Sequence, residues 1–159
     1  MSGILQSGNV TPGHLAAWVA PDVLGDGGPP IGQSETVLGL LLGADFNTTD
    51  DQQIEIVDTI AKICLTRIIV TNASLSLTTA VGGFYPQPAK AGTTIVANSQ
   101  AYSGLTDATK LINPTLTSYG TGTLFTASIL TAFSIYFALT TPQGVVATAD
   151  IYVCGIVLG

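Results

Sequence analysis

The longest uncharged part of the chain alternates between bulky apolar residues and small or hydroxylated ones. No Asp, Glu, Lys or Arg occurs between Lys110 and Asp150, and the segment LFTASILTAFSIYFALTT is apolar enough to be mistaken for a membrane-spanning helix. Its odd-numbered residues are mostly bulky and apolar, whereas its even-numbered residues are mostly Thr, Ser or Ala. This two-residue period is typical of a β-strand with one buried face, so we predict strands here, with one break near Thr131.

The segment RIIVTNASLSLTTAVGG has the same period. Its apolar row consists of Ile69, Ala73, Leu75 and Leu77. The row predicts a strand whose other face carries Asn, Ser and Thr. Gly82 and Gly83 follow it and predict a turn, because glycine adopts backbone angles that other residues avoid.

The C-terminal segment ALTTPQGVVATADIYVCGIVLG predicts two strands joined by a tight turn. Pro142, Gln143 and Gly144 have the chemistry of such a turn, so we predict a hairpin. One face of the last strand is predicted to carry Ala147, Ala149, Ile151 and Val153. The string Leu-Thr-Thr precedes a glycine-containing turn at both Leu77 and Leu139, which is natural where strand ends of two sheets meet at one rim.

These patterns together predict an all-β chain. About eight short strands are expected after residue 50, near Ile54, Arg67, Leu75, Thr93 (Thr93–Ala97), Leu116, Phe125, Ile135 and Ile151. Ser99–Leu105 predicts a short helical turn. The strand count favours an antiparallel β-sandwich, with a jelly roll as the leading topology. Residues 1–45 lack this pattern and predict an extended N-terminal arm, which leaves 46–159 for the β-sandwich domain.

The composition is that of a weakly charged protein. Only 9% of the residues are charged, against a usual share of about 25%, and 47% are hydrophobic. A surface with so few charges promotes association, and we expect other copies of the chain to cover much of it. Residues 1–62 carry eight acids and one lysine, and the rest carries three basic residues and two acids, which gives −7 and +1. No basic stripe exists, so we expect no nucleic-acid partner.

Two cysteines and a short N-terminal segment bear on the compartment. Cys64 and Cys154 lie among aliphatic or β-branched residues, and we expect both to be reduced and buried. The segment MSGILQSGNV lacks the basic start and apolar stretch of a secretory signal. We therefore expect a protein made and assembled in a cytoplasm, without a membrane span.

The search for a catalytic or metal-binding motif finds none. His14 is the only imidazole, and no nucleophile motif accompanies it. One histidine and two distant cysteines do not have the spacing of a metal site. Asp50 and Asp51, with Asp45 and Glu55 nearby, are calcium-type ligands, but without the EF-hand spacing they favour a solvated acidic turn. We predict no enzyme, no metal and no cofactor.

Two groups of apolar residues are candidates for binding another molecule. The first group lies in the arm and consists of His14, Leu15, Trp18, Val23 and Leu24. A tryptophan ring on an arm is costly to leave in water, so Trp18 needs a pocket that a partner protein can supply. The second group lies near predicted loops and consists of Phe84, Tyr85 and Tyr102. Exposed rim aromatics of this kind bind a glycan or a neighbouring subunit, and packing beneath a loop is the alternative.

Three strings resemble a family of small structural proteins of tailed bacteriophages: SGNVTPGHLAAWVAPDVLGDGG, VTNASLSLTTAVGGFY and LTTPQGVVATADIYVCG. The resemblance implies a virion component built on a β-sandwich, either a capsid decoration (cement) protein or a fibre-like appendage. It implies the major capsid protein or other virion subunits as partners. We also expect a homo-oligomer, with a trimer favoured over a dimer, because symmetric contacts hide uncharged strand faces.

Three functions follow, in order of preference. A decoration protein would use its arm to bind and stabilise the capsid lattice. A tail-fibre or head-fibre module would recognise a host surface glycan through the rim aromatics. An enzyme acting on a glycan would need two opposed carboxylates, for which the sandwich offers only Glu55, Asp58, Asp107 and Asp150.

Overall fold

The computed structural model describes residues 5–6, 16–20, 23–26, 35–56, 63–117, 129–130 and 134–157. Every regular element in these ranges is a β-strand, so the predicted all-β class is confirmed. The strands are β1 (Leu5–Gln6), β2 (Ala16–Ala20), β3 (Val23–Asp26), β4 (Thr36–Asp45), β5 (Gln52–Glu55), β6 (Ile63–Thr71), β7 (Val81–Tyr85), β8 (Leu111–Ile112), β9 (Ile129–Leu130), β10 (Ser134–Thr141) and β11 (Thr148–Val157).

Two antiparallel sheets enclose one hydrophobic core. The first sheet has the order β4-β11-β6-β8, with β9 also paired to β6, and the second has the order β5-β10-β7. The inward side chains of both sheets belong to a single buried cluster, and every core residue in the described ranges is apolar or aromatic. Two antiparallel sheets around one core are the arrangement of a β-sandwich.

The alternation in the last two strands is confirmed. Ile135, Phe137 and Leu139 of β10 are fully buried. The predicted inward row of β11 is buried as well, namely Ala147, Ala149, Ile151 and Val153. β9 pairs with β6 while β10 pairs with β5 and β7, so the long apolar segment does divide between two sheets. Phe125 and residues 131–133 lie outside the described residues.

The predicted C-terminal hairpin is wrong. β10 lies in the three-stranded sheet and β11 in the five-stranded sheet, so the Pro142–Gly144 turn crosses from one sheet to the other. The backbone of Phe46 holds both ends of this connection. Its carbonyl accepts a hydrogen bond from Gln143 N at 2.8 Å, and its N–H donates to Ala147 O at 2.8 Å. Turn residues reverse the chain, but they do not determine whether the next strand joins the same sheet or the facing one.

The strand predicted near Leu75 is wrong, since the chain leaves the sheet at Asn72. This residue has the left-handed backbone angle φ 54°, and residues 72–80 form bends and irregular structure. Ala73 and Leu77 are nevertheless buried, and Leu75 packs against the core. Ile69, in contrast, is half-buried on the outer face of β6, because its neighbours on either side supply the inward side chains.

Further short elements also differ from prediction. Residues 93–97 and 116 form only isolated bridges, in which Val96 pairs with Phe84 and Leu116. Ser99–Leu105 contains hydrogen-bonded turns instead of a helical segment, one of them closed by Leu105 N donating to Tyr102 O at 2.9 Å. Residues 93–97 and 99–105 lie along the open edge of β7, where Val96 bridges Phe84 and Ala101 bridges Val81. These single contacts pair part of the backbone at that edge.

Strand β4 lies in the sandwich, on the N-terminal side of the predicted boundary at residue 45. It pairs with β11 over nearly its whole length, so the sandwich includes residues from 36 onward. Its register shifts at Leu38 and again at Leu42–Gly43, and Gly43 has φ 65°. These irregularities break the simple alternation of VLGLLLGA, which is why the two-residue period did not reveal the strand.

The N-terminal strands form a third, small sheet with the order β1-β3-β2. β1 runs parallel to β3, and β2 runs antiparallel to it. Among the described strands, this sheet shares none with the two sheets of the sandwich.

Candidate functional site

The predicted arm residues divide between the small sheet and the undescribed ranges. Trp18 of β2 lies opposite Leu24 of β3, and Val23 lies opposite both Ala20 and Leu5. His14 and Leu15 lie outside the described residues. The structure therefore brings the backbone positions of Trp18, Val23 and Leu24 together in one three-stranded unit.

The three aromatic residues considered for rim recognition are buried. Phe84 and Tyr102 have no exposed surface, and Tyr85 is 2% exposed. The Tyr102 hydroxyl donates to Gly82 O at 3.4 Å. Burial, and secondarily the neighbouring Tyr85, raises the pKa of Tyr102 well above its usual range. Of the two alternatives for these rings, packing beneath a loop is the one observed.

Phe137 is the centre of an aromatic cluster in the core. Its ring centroid lies 5.0 Å from that of Phe46, 5.1 Å from Phe84 and 5.9 Å from Tyr102. Phe46 and Tyr102 meet edge to face at 5.2 Å. Such tilted and edge-on contacts are the favourable geometry for aromatic pairs. These rings therefore stabilise the sandwich and do not form a recognition surface.

The acidic turn after β4 serves the protein's own backbone. The Asp45 carboxylate accepts from Asn47 N at 2.7 Å, and Asp51 accepts a hydrogen bond from Ala89 N. The second carboxylate oxygen of Asp51 is buried and has no hydrogen-bond partner among the described residues. Burial raises the pKa of the Tyr85 hydroxyl, and the nearby Asp51 carboxylate raises it further. Within the described ranges, no three potential ligands come close enough together to hold a metal ion.

The carboxylates considered for glycan chemistry lie on separate elements. Glu55 is exposed on β5, Asp150 lies on β11 in the other sheet, and Asp107 lies in an exposed loop. Asp58 is outside the described residues. Hydrogen bonds from the Thr109 side chain and backbone lower the pKa of Asp107, which favours its ionised form.

Asp150 fastens three chain segments at one end of the five-stranded sheet. One carboxylate oxygen accepts from Gly43 N at 2.8 Å, and the other accepts from Asn72 Nδ2 at 2.8 Å. Both partners have left-handed backbone angles, φ 65° and φ 54°. Asp150 therefore supports the irregularity in β4 and the exit of the chain from β6. Asp150 was predicted to point outward from its strand. Its half-buried position between the inward residues Ala149 and Ile151 agrees with that prediction.

Gln143 clamps the rim at which the two Leu-Thr-Thr strings lie. The first string is irregular structure and not a strand end, and the neighbouring strands β7 and β10 belong to one sheet, so the expected meeting of strand ends from two sheets is not observed. Its side-chain oxygen accepts from Thr79 N at 3.1 Å and from Ala80 N at 3.3 Å. Its side-chain nitrogen donates to Ser76 O at 3.1 Å, and Thr79 Oγ1 donates to Gln143 O at 2.8 Å. The clamp supports the turn that ends in Val145 and Val146, and Val146 is 80% exposed. In the sequence, the repeated Leu-Thr-Thr string indicated this rim, whereas Gln143 was identified only as a turn residue.

An ion pair covers one cysteine on the outer face of the five-stranded sheet. Arg67 Nη2 lies 2.9 Å from Glu35 Oε2, and the Thr66 hydroxyl also donates to Glu35. Beneath them, Cys154 is 4% exposed, and burial raises the pKa of its thiol while a hydrogen bond with Arg67 partly offsets that effect. Both cysteines are free thiols, as expected, although Cys64 is half-buried.

The sequence patterns also missed a group of exposed apolar side chains on this outer face. Val37, Leu40 and Leu42 of β4 are between 45% and 62% exposed, and Leu111 of β8 is 59% exposed. The apolar run in β4 hid them, because a strand without clear alternation gives no indication of which residues point outward.

The described residues contain no helix of the length and apolarity needed to cross a membrane. No protein-family model, no curated protein and no solved structure matches the chain.

Proposed function

We propose that this chain is a bacteriophage capsid decoration protein, a non-enzymatic cement protein that binds the capsid lattice of the virion. Its N-terminal segment is the attachment arm, and its sandwich, with jelly-roll topology, is the body. The observation that carries the proposal is the two-part organisation of the chain. The small sheet β1-β3-β2 is built from the segment with the phage-like string, and it shares no strand with the sandwich among the described strands.

The arm has a composition suited to lying across another protein. Residues 1–34 contain two acids, Asp22 and Asp26, and no lysine or arginine. Burying a side chain as large as Trp18 in a partner's pocket contributes about 1.5–3 kcal/mol, which is modest for one contact. A repeated lattice multiplies such contacts through high local concentration, and the area buried between subunits stabilises the shell. The major capsid protein is the proposed partner, and copies of this chain associate as a trimer or a dimer.

Deleting Met1–Pro30 is expected to abolish attachment to the particle and leave the sandwich folded. The first sandwich strand begins at Thr36, and the pair between Glu35 and Arg67 is retained. Attachment is measured by co-sedimentation with decorated and stripped capsids, and folding by circular dichroism. A folded deletion variant that binds at full affinity would remove the arm from the mechanism.

Trp18→Ala and His14→Ala form a matched pair within that experiment. We expect Trp18→Ala to weaken attachment at least about tenfold, because the indole loses its pocket, and His14→Ala to weaken it much less. Equal effects would argue against a tryptophan anchor.

The copy number in purified virions separates the decoration protein from the fibre alternative. A lattice protein is expected on the order of hundreds of times per particle, and a tail-fibre or head-fibre module about a dozen times or fewer, because each follows the symmetry of its position. Quantitative mass spectrometry against the major capsid protein measures this ratio. The glycan-binding alternative has lost its candidate residues, since Phe84, Tyr85 and Tyr102 are buried.

A further inference from the structure

We propose that Glu35 is a latch at the junction between the N-terminal segment and the sandwich. In the closed latch, Glu35 ties the start of β4 to β6 through Thr66 and Arg67. When the latch opens, the first residues of β4 leave the sheet and the Cys154 thiol is uncovered. This inference goes beyond the proposed function and does not depend on it, because it concerns contacts within one chain.

A β-bulge in β6 aims two consecutive side chains at Glu35. The pairing of β6 with β11 skips Thr66, which makes it an extra residue in the strand. The flanking residues Leu65 and Ile68 are buried, yet Thr66 and Arg67 are both exposed, whereas regular alternation would turn one of them inward. A bulge changes the direction of a side chain, and this one gives Glu35 two partners instead of one.

Both exposed side chains bind the Glu35 carboxylate. Arg67 Nη2 lies 2.9 Å from Glu35 Oε2, and the Thr66 hydroxyl donates to Glu35 Oε1, so each carboxylate oxygen has its own partner. Strand β11 lies between β4 and β6, which places the two outer strands about 10 Å apart. Glu35 and Arg67 therefore meet above β11.

The closed latch lies over the Cys154 thiol. Cys154 is in one cross-strand row with Val37 and Arg67, and the preceding residue, Val153, is fully buried, so this row faces outward. Val37 is 50% exposed, but Cys154 is 4% exposed. Burial raises the pKa of the Cys154 thiol, a hydrogen bond with Arg67 lowers it and the Glu35 carboxylate raises it, so both charged groups of the latch lie close to the sulfur.

The latch is weak enough to open while the protein stays folded. The Arg67 side chain is 50% exposed and that of Glu35 is 33% exposed, so water and salt screen the pair. Exposed ion pairs of this kind contribute little to stability. The next residue, Thr36, is exposed and begins β4, so opening moves only the end of one strand.

Alkylation of the two cysteines in the full chain measures this opening. Iodoacetamide is added to the folded protein, and mass spectrometry of its peptides gives separate rates for Cys154 and Cys64. We expect Glu35→Gln and Arg67→Gln each to raise the Cys154 rate about two- to fivefold, and the double variant to raise it no further, because either change alone breaks the pair. A change in thiol pKa alone would have opposite effects in the two variants, since losing Glu35 favours the thiolate and losing Arg67 disfavours it.

Salt and hydrogen exchange test the two parts of the opening. Raising the salt concentration from about 0.05 to 1 M is expected to speed alkylation of Cys154 in wild type but not in the double variant, because only wild type has a pair to screen. Glu35→Ala removes both contacts, so we expect at least about fivefold faster alkylation and faster amide exchange at Thr36 and Val37.

Cys64 and Glu55→Gln are the controls. Cys64 is half-buried and its thiol lies 3.9 Å from Leu65 O, so we expect its rate to stay constant in every variant. Glu55→Gln removes the same charge from β5 in the other sheet and is expected to leave both rates unchanged.

Four results would each overturn the proposal. They are an unchanged Cys154 rate in Glu35→Gln, a slower rate in Arg67→Gln, a further rise in the double variant, and an equal rise at Cys64, which would indicate general unfolding. Unchanged amide exchange at Thr36 and Val37 in Glu35→Ala would also contradict release of β4. None of these measurements involves a capsid, so failure of the latch and failure of the proposed function are distinguishable.

Discussion

The Gly83→Ala variant is expected to lose at least about 3 kcal/mol of unfolding free energy, or to fail to fold. A Cβ atom at this position would lie 2.4 Å from Val96 O and 3.0 Å from the backbone of Ala97. Both are main-chain atoms of the segment that covers β7, where Phe84 N donates to Val96 O at 3.2 Å and Ile95 N donates to Phe84 O at 2.8 Å. The added methyl group must push this segment off the strand and break those hydrogen bonds.

Gly104→Ala is the matched control, and urea unfolding of both variants is the measurement. A Cβ atom at Gly104 would meet Ile112 Cδ1 at 3.2 Å, the end of a flexible side chain that can move aside. The loss of chain entropy in the unfolded state favours alanine by about 0.4–1 kcal/mol, so we expect Gly104→Ala to be nearly neutral. A Gly83→Ala protein as stable as Gly104→Ala would show that the 95–97 segment does not pack on β7.

Gly82 and Gly83 also show where the sequence patterns fail. Two adjacent glycines predicted a turn, yet both lie in β7, and a Cβ atom at Gly82 would lie 2.5 Å from Ala138 O of β10. A glycine is required either for an unusual backbone angle or for a close approach of another backbone. The first requirement is local and the second depends on distant residues, so the pattern alone could not separate them.

The alternation in the last two strands was predicted correctly, whereas the same period around Leu75 did not correspond to a strand. In β10 and β11 the inward residues, such as Phe137 and Ile151, are the ones that the two-residue period identified. What the period could not supply is the partner of each strand. β10 and β11 are joined by a short turn but belong to different sheets, and β4 pairs with β11 across more than one hundred residues of sequence. Pairing of this kind is decided by packing of the whole core.

The exposure of individual residues was predicted less well than the strands. Tyr102 was a candidate for recognition because it lies near a predicted loop, but its ring is fully buried against Phe46. Conversely, Leu40 and Leu42 lie in an apolar run typical of a buried strand, and both are exposed. Loop polarity and strand hydrophobicity are averages over neighbours, whereas exposure depends on which face of a given element a residue occupies.

Phe137→Ala is expected to cost about 3–5 kcal/mol of unfolding free energy, the range for removing a fully buried aromatic side chain. The ring contacts Phe84, its cross-strand partner in the same sheet, and also Phe46, and Tyr102 closes the cluster. Its removal leaves a cavity lined by three other rings, and each lost aromatic pair contributes about 0.5–1.5 kcal/mol beyond the buried area. Since an ordinary domain is stable by about 5–15 kcal/mol, much of the stability would be lost.

Chemical unfolding of Phe137→Ala and Val146→Ala, at a protein concentration held constant, provides the measurement. Val146 is 80% exposed, so its truncation removes carbon atoms that pack against little, and we expect a change within about 0.5 kcal/mol. Phe137→Leu keeps most of the buried apolar surface and should lie between the two. A loss below about 1 kcal/mol for Phe137→Ala would contradict a core centred on this ring, because a cavity at a fully buried aromatic side chain costs more unfolding free energy than that.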